Sequence, residues 1–312
     1  MIPAFECADH EFKFWQAMKT QRVPVKFAYA GSAAETHDRS AALTTYQALA
    51  RATRTEVAAL NYAIPPGGKE ELAICEIGPG NAIHSIQFLH ALQNSGYVLH
   101  SYLGLDFSAS LLKIAIERLM ASFHSFPFWS ATWDFEAGPA PAISHWRPVR
   151  GRILLPFLGQ TLGNSENAHL VLSNVHASTQ PGDILLTGVA LLGDQSEDQI
   201  LSSYRSDLFT KAVLEPLRMA GVDPASGEFC LGFSREQRAV IGEFLFHNKS
   251  VLEHRGEHFT FEAGDAIQCF FSRRFLTGEL EGILRQTLWS VLGSTFDEDH
   301  SHVVVASVSK SR

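Results

Sequence analysis

The chain has 312 residues, 46% of them hydrophobic and 19% charged, and a formal charge of -8. That length is enough to bury a sizeable core, as one large domain or two smaller ones, and the composition excludes a largely disordered chain. An acidic balance with no basic run longer than "SRRF" offers no field to a phosphate backbone, so nucleic acid is not an expected partner.

The opening "MIPAFECADHEFKFW" carries acids where a secretion signal needs a basic flank and an apolar centre. The longest apolar runs, "ILLPFLG" and "ILLTGVALLG", fall short of the roughly 18 residues a membrane span requires. A cytoplasmic protein with no membrane partner is expected. Cys7, Cys75, Cys230 and Cys269 show no C-x-x-C spacing, so they suggest neither a disulfide framework nor a zinc site.

Residues 10–62 are helical text, and "TYQALARATRTEVAALNYAI" spaces its apolar residues as an amphipathic helix does. "IPPGGKEE" then punctuates the chain before a first strand, "LAICEI". An alternation follows: a helix near 82–93, the strand "SYLGLDF", a helix near 109–122, the strand "FWSATW", the strand "RILLPFLG", a helix near 165–178, and "DILLTGVALL" after the turn signal "QPGD". Such alternation predicts an α/β fold built on a doubly wound, mostly parallel sheet. Beyond residue 195 the text turns helical and then strand-like to about 262, which reads as an inserted lobe. "DAIQCFFSRRF", a helix near 277–292 and the strand "HVVVASVS" are expected to return to the sheet. The expected division is therefore 1–62 as a helical lead-in belonging to the substrate lobe, 63–195 as the core, 196–262 as the inserted lobe, and 263–312 as the return.

Ligands of such sheets bind beyond the carboxyl ends of the strands, where glycine lets a ligand approach the backbone. In "LAICEIGPGNAIHSIQFLHAL", Gly78 and Gly80 follow the strand, behind Glu76, and this acid-bearing glycine turn makes all three expected cofactor-binding residues. A dinucleotide fingerprint asks for a third glycine where Ile83 stands, and no Lys-Ser or Lys-Thr follows to make a P-loop. The second strand ends at Asp106, whose carboxylate suits two ribose hydroxyls; the third ends in "TWDFE", where Asp134 suits an adenine amino group and Phe135 an adenine face. Each element alone also suits a tight turn or a helix cap. In register, the three describe a site for S-adenosylmethionine better than one for a pyrophosphate.

At these residues the sequence resembles the class I S-adenosylmethionine-dependent methyltransferases, which implies a Rossmann-like core. Downstream, "RILLPFLGQTLGN", "QPGDILLTGVALL" and "ILSSYRSD" resemble the histidine-specific methyltransferase family, whose members make trimethylhistidine for ergothioneine, with relatives acting on other amino acids. The likeness runs from about residue 70 to the end. It implies that Asn164 and Tyr204 hold an amino-acid substrate by its carboxylate and amine. In that family a Glu of an "I-E-M" motif reads the imidazole; the stretch matched to it here is "VIGEFLF", with Gly242 at that place and Glu243 one residue later, which points away from histidine. The family's Tyr-Asp-Asp also becomes Tyr204-Arg-Ser-Asp207.

Near the N-terminus, "VKFAYAGSAAETHD" offers Phe27, Tyr29, His37 and Asp38, and Tyr29 is expected to close over the sulfonium or the substrate. "HRGEH", His254 to His258, fits an inverted zinc-protease pattern, but Gly256 interrupts the helix it needs, so no metal is expected. The expected activity is N-methylation of a free amino acid or similar small amine. Two alternatives stand beside it: cyclisation of S-adenosylmethionine to azetidine-2-carboxylate with release of methylthioadenosine, and a cofactor-binding scaffold without catalysis.

Overall fold

A computed structural model describes residues 5–41, 52–65, 71–149 and 152–311. The described strands are β1 (Glu71–Ile77), β2 (Val98–Asp106), β3 (Phe128–Thr132), β4 (Ile153–Phe157), β5 (Ile184–Ala190), β6 (Gly227–Ser234), β7 (Ala239–Phe246), β8 (Ser250–His254), β9 (Glu257–Phe261), β10 (Ala266–Arg273), β11 (Trp289–Phe296) and β12 (His302–Ser309). Two compact units share them: Met1–Ala42 with Gln195–Arg273, and Leu43–Asp194 with Arg274–Arg312.

The second unit holds a seven-stranded sheet in the order β11-β12-β5-β4-β1-β2-β3. Strands β1 to β5 run parallel, and β12 runs against both its neighbours. β1 reads as an almost unbroken apolar run because both of its faces are covered. Cys75 and Ile77 enter one core layer with Leu103, Leu155 and Leu172, under the helices Pro141–Trp146, Ala168–Ala177 and Glu279–Gln286. Leu72 and Ile74 enter the other with Phe88 and Leu119, under the helices Ala52–Leu60, Ile83–Asn94 and Ala109–Ser122. This is the doubly wound, Rossmann-like arrangement expected from the alternation.

Capping fixes where these helices begin. Ser108 Oγ accepts from the Leu111 N–H at 3.0 Å, and Asn167 Oδ1 from the Leu170 N–H at 2.9 Å. At the "QPGD" turn, buried Asp183 accepts from the Arg147 guanidinium, the Ile153 N–H at 3.2 Å and the Gln180 N–H at 2.8 Å, which pins the starts of β4 and β5 together.

The first unit is built on the antiparallel sheet β10-β7-β6 and the hairpin β8-β9. Its helices Ser32–Ala41 and Asp207–Met219 pack on each other, with Ser32 Oγ donating to Glu215 Oε1 at 3.1 Å.

Three segments depart from the sequence reading. "DAIQCFFSRRF" does not return to the large sheet: β10 pairs with β7 from Ala266 to Arg273, and the change of unit falls after Arg273. The helix expected over 277–292 stops at Gln286, because Leu288 takes a left-handed conformation (φ 66°) and the β-prone "WSVLGSTF" pairs with β12 as β11. The helix Ala52–Leu60, expected in the lead-in, belongs to the sheet unit and contributes Ala59 and Leu60 to its core. The start of that expected helix, residues 45–51, lies outside the described residues.

Candidate active site

The carboxyl end of β1 leads into three consecutive departures from ordinary backbone: Gly78 (φ 70°), Gly80 (φ 55°) and Ala82 (φ 62°). The two glycines use their bareness differently. A side chain at Gly78 would start 2.7 Å from Thr161 Cγ2, so Gly78 lets the loop after β4 pack on the turn. A side chain at Gly80 would meet nothing within 4 Å, so its backbone faces open space of the kind a ligand fills.

Neighbouring strands fasten this turn. The Gly78 N–H donates to Leu105 O at 2.7 Å, and the Gly80 N–H to Asp106 Oδ2 at 3.3 Å. The other oxygen, Asp106 Oδ1, accepts from the Ser108 N–H at 3.0 Å. The Trp133 N–H donates to Asp106 O at 2.8 Å, bringing the end of β3 alongside. There Asp134 is half-buried and accepts from the Glu136 N–H at 3.3 Å, while the Phe135 ring packs against Phe157, 5.7 Å between centroids.

Asn164 ends the short 3-10 turn Leu162–Asn164, and its N–H donates to Gln160 O at 3.1 Å and Thr161 O at 3.3 Å. Next to it, Ser165 Oγ donates to Glu136 Oε1 at 2.8 Å, joining the loop after β4 to the loop after β3. Gly78, Gly80, Asp106, Asp134, Phe135 and Asn164 therefore gather at the carboxyl ends of β1 to β4. Together they present open backbone at Gly80, a carboxylate at Asp106, and a carboxylate with an aromatic face at Asp134 and Phe135, groups whose chemistry suits an adenosyl moiety.

Glu76 stands behind the turn. Its carboxyl is 3% exposed and accepts from Ser85 Oγ at 2.8 Å and Tyr102 OH at 2.7 Å, so both oxygens are engaged within the chain. Burial pushes this carboxyl above its usual range, with the two hydroxyl donors opposing the shift. Glu76 anchors the first turn of the following helix to β1.

Tyr29 and Tyr204 belong to the other unit. Tyr29 meets His37 edge-on at 4.6 Å; burial lowers the His37 pKa to about 4 against the opposing effect of Asp38, so that imidazole is neutral at pH 7. Tyr204 OH lies 3.0 Å from Ser272 Oγ, with its ring against Phe209 and Phe270. Gly242 is closed over: a side chain there would start 2.6 Å from the Phe229 ring and 2.9 Å from Phe270 Cβ, while Glu243 points to the exposed face of the sheet. Gly242→Ala is expected to destabilise the fold by about 1–3 kcal/mol through overpacking, seen as a lower thermal melting point.

"HRGEH" forms the β8-β9 hairpin, turning at Arg255 (φ 51°) and Gly256 (φ 80°), and His254 stacks on Trp15 at 4.3 Å. Among the described residues no group of three or more His, Cys, Asp or Glu is arranged to hold a metal ion. Nor is any described helix long and apolar enough to cross a membrane. Thr161, Glu136 and Ser165 escaped the sequence reading, since their roles are contacts between loops that no local spacing signals.

A model of a family described as histidine-specific, S-adenosylmethionine-dependent methyltransferases matches residues 17–309. No curated protein sequence matches the chain. Among solved structures, an S-adenosylmethionine-dependent methyltransferase from Clostridium acetobutylicum ATCC 824 is 9% identical, covering 85% of this chain and 96% of its own, with a TM-score of 0.46. Magnesium protoporphyrin IX methyltransferase from Synechocystis PCC 6803, solved with bound SAH, is 12% identical over 92% of this chain and 98% of its own, at a TM-score of 0.47. The glycopeptide N-methyltransferase MtfA, complexed with S-adenosylmethionine, is 13% identical over 82% and 94%, at 0.41.

Proposed function

The chain belongs to the histidine-specific family of S-adenosylmethionine-dependent methyltransferases, and from that premise we propose that it N-methylates a free amino acid or similar small amine other than histidine. Bound S-adenosylmethionine supplies an electrophilic methyl group. The chain's own part is to hold an uncharged amine in line with it and to keep water out, because alkyl transfer needs positioning more than covalent help. Asp106 holds the ribose, Asp134 and Phe135 the adenine, and the open backbone at Gly80 admits the cofactor against β1. Asn164 is assigned to the acceptor; Tyr204 and Tyr29, in the other unit, are assigned on the sequence resemblance and residue chemistry alone.

The observation that carries this reading is the assembly of Gly80, Asp106, Asp134 and Asn164 at one edge of the sheet, where hydrogen bonds from Gly80 and Trp133 to Asp106, and from Ser165 to Glu136, hold their loops together. The exclusion of histidine draws its support from Gly242, where phenylalanines fill the space, and from Tyr204, whose ring neighbours are Phe209 and Phe270. Those surroundings suit an apolar side chain better than an imidazole. Cyclisation of S-adenosylmethionine stands as a second reading, favoured by the same closure over Gly242.

Product identity tests these readings. The protein is incubated with S-adenosylmethionine alone and then with a mixture of amino acids, and the nucleosides are identified by mass spectrometry. S-adenosylhomocysteine formed only with the amino acids supports methyl transfer; methylthioadenosine formed without them supports cyclisation; neither product overturns both. Asn164→Ala and Tyr204→Phe are each expected to raise the acceptor KM about tenfold, the effect of one lost hydrogen bond, with cofactor affinity unchanged by calorimetry.

A further inference from the structure

Beside the glycine turn, on the sheet face covered by the helices Ala52–Leu60 and Ile83–Asn94, lies a group of buried polar atoms with no role so far. Glu56 is fully buried, and His84 Nε2 is 3.0 Å from its Oε1 and 3.1 Å from its Oε2. One N–H sits between both oxygens and cannot satisfy the two of them, so the carboxylate keeps acceptor capacity to spare. One helical turn earlier, Thr53 Oγ1 is also buried and without a hydrogen bond.

His302 faces the same layer from the sheet, at the start of the strand on which the helix Ala52–Leu60 packs. It opens β12 opposite Ala190, which turns its ring to the same face as Gly188; a side chain at Gly188 would start 3.0 Å from His302 Nε2. That nitrogen is buried and has no hydrogen bond. Burial, with His84 and Arg274 close by, lowers the His302 pKa to about 4, so the ring is neutral and one nitrogen can accept. His84 is the converse: burial opposes its charge, but the Glu56 carboxylate prevails and its pKa is raised.

Buried acceptors left without donors are costly, and a structure keeps them where a ligand completes them. Thr53 Oγ1, Glu56 Oε1 and His302 Nε2 are three acceptors, one of them anionic. An alkylammonium offers three N–H donors and the opposite charge. We propose that Thr53, Glu56 and His302 form a subsite for the ammonium of an α-amino-acid group, and that the methionine tail of the cofactor supplies it. A protonated amine is no nucleophile, so an acceptor about to be methylated is the less suitable occupant. By the same chemistry, a tail amine held as ammonium opposes cyclisation.

The inference rests on the reading of the chain as an S-adenosylmethionine enzyme, and calorimetry separates the two. S-adenosylhomocysteine carries the amino-acid tail, and methylthioadenosine lacks it. With Glu56→Gln, S-adenosylhomocysteine is expected to bind roughly ten- to a hundredfold more weakly, as for the loss of a charged hydrogen bond, and methylthioadenosine to bind as in the wild type. Thr53→Val, which keeps the shape and removes the hydroxyl, repeats the test with a smaller loss if Glu56→Gln does not fold. Unchanged S-adenosylhomocysteine affinity, combined with loss of any melting-point rise that amino acids are found to give the wild-type complex, overturns the assignment to the cofactor tail and gives the subsite to the acceptor. Equal weakening of both nucleosides, or no change in any of these readouts in either variant, overturns the proposal. A wild-type protein that binds neither nucleoside overturns the cofactor reading and the subsite with it.

Discussion

Replacing Asp106 with alanine is expected to weaken S-adenosylhomocysteine binding about a hundredfold, and Asp106→Asn by about tenfold, both read by calorimetry. The carboxylate has two kinds of partner. Inside the chain it accepts from the Gly80 and Ser108 N–H groups, which fixes the turn and the start of the next helix. Toward the ligand, an ionised oxygen is suited to ribose hydroxyls, and hydrogen bonds to a charged group contribute about 1.5–3 kcal/mol each. Asparagine keeps one acceptor and loses the charge, hence the smaller loss. Binding by Asp106→Ala as tight as that of the wild type would remove Asp106 from the cofactor site.

Alanine at the two glycines is expected to separate fold from binding. Gly78→Ala combines left-handed backbone strain of about 1–2 kcal/mol with a contact 2.7 Å from Thr161 Cγ2, so the melting point falls and the loop carrying Asn164 is displaced. S-adenosylhomocysteine affinity then drops by tenfold or more, as an order of magnitude for a displaced site. Gly80→Ala bears the strain without the contact, and Ala82 already shows alanine at φ 62° in this turn. Its melting point should fall by less than that of Gly78→Ala, since only the strain acts, while its affinity falls because the added methyl occupies space the cofactor needs. A Gly80→Ala protein with undiminished affinity would mean that the ligand does not approach the backbone there.

Much of the large sheet was legible because its signals are local. Apolar runs such as "LAICEI" mark strands buried on both faces, and the turn signal "QPGD" marks the approach to β5. The positions of Gly78, Gly80, Asp106 and Asp134 could be read because each ends a strand or follows one within three residues, and a parallel sheet brings strand ends to one edge. What escaped depends on pairing between distant segments. The sequence "DAIQCFFSRRF" would suit either sheet, and only its register with Ala239–Leu245 assigns it to the smaller one. Gln286 and Trp289 sit on either side of a helix end that Leu288 makes without any Gly or Pro to announce it. Thr161 against Gly78, Phe229 over Gly242, and Glu56 beside His84 are contacts across folded layers, and no periodicity encodes them.

Where the adenosyl group lies decides the role of every residue at this edge, and a crystal structure of the complex with S-adenosylhomocysteine tests it directly. The expected result is both ribose hydroxyls within hydrogen-bond distance of the Asp106 carboxylate, the adenine against Phe135 with its amino group at Asp134, and the tail passing over Gly80. A nucleoside bound away from these strand ends, or an Asp106 carboxylate that touches no ribose oxygen, would contradict it.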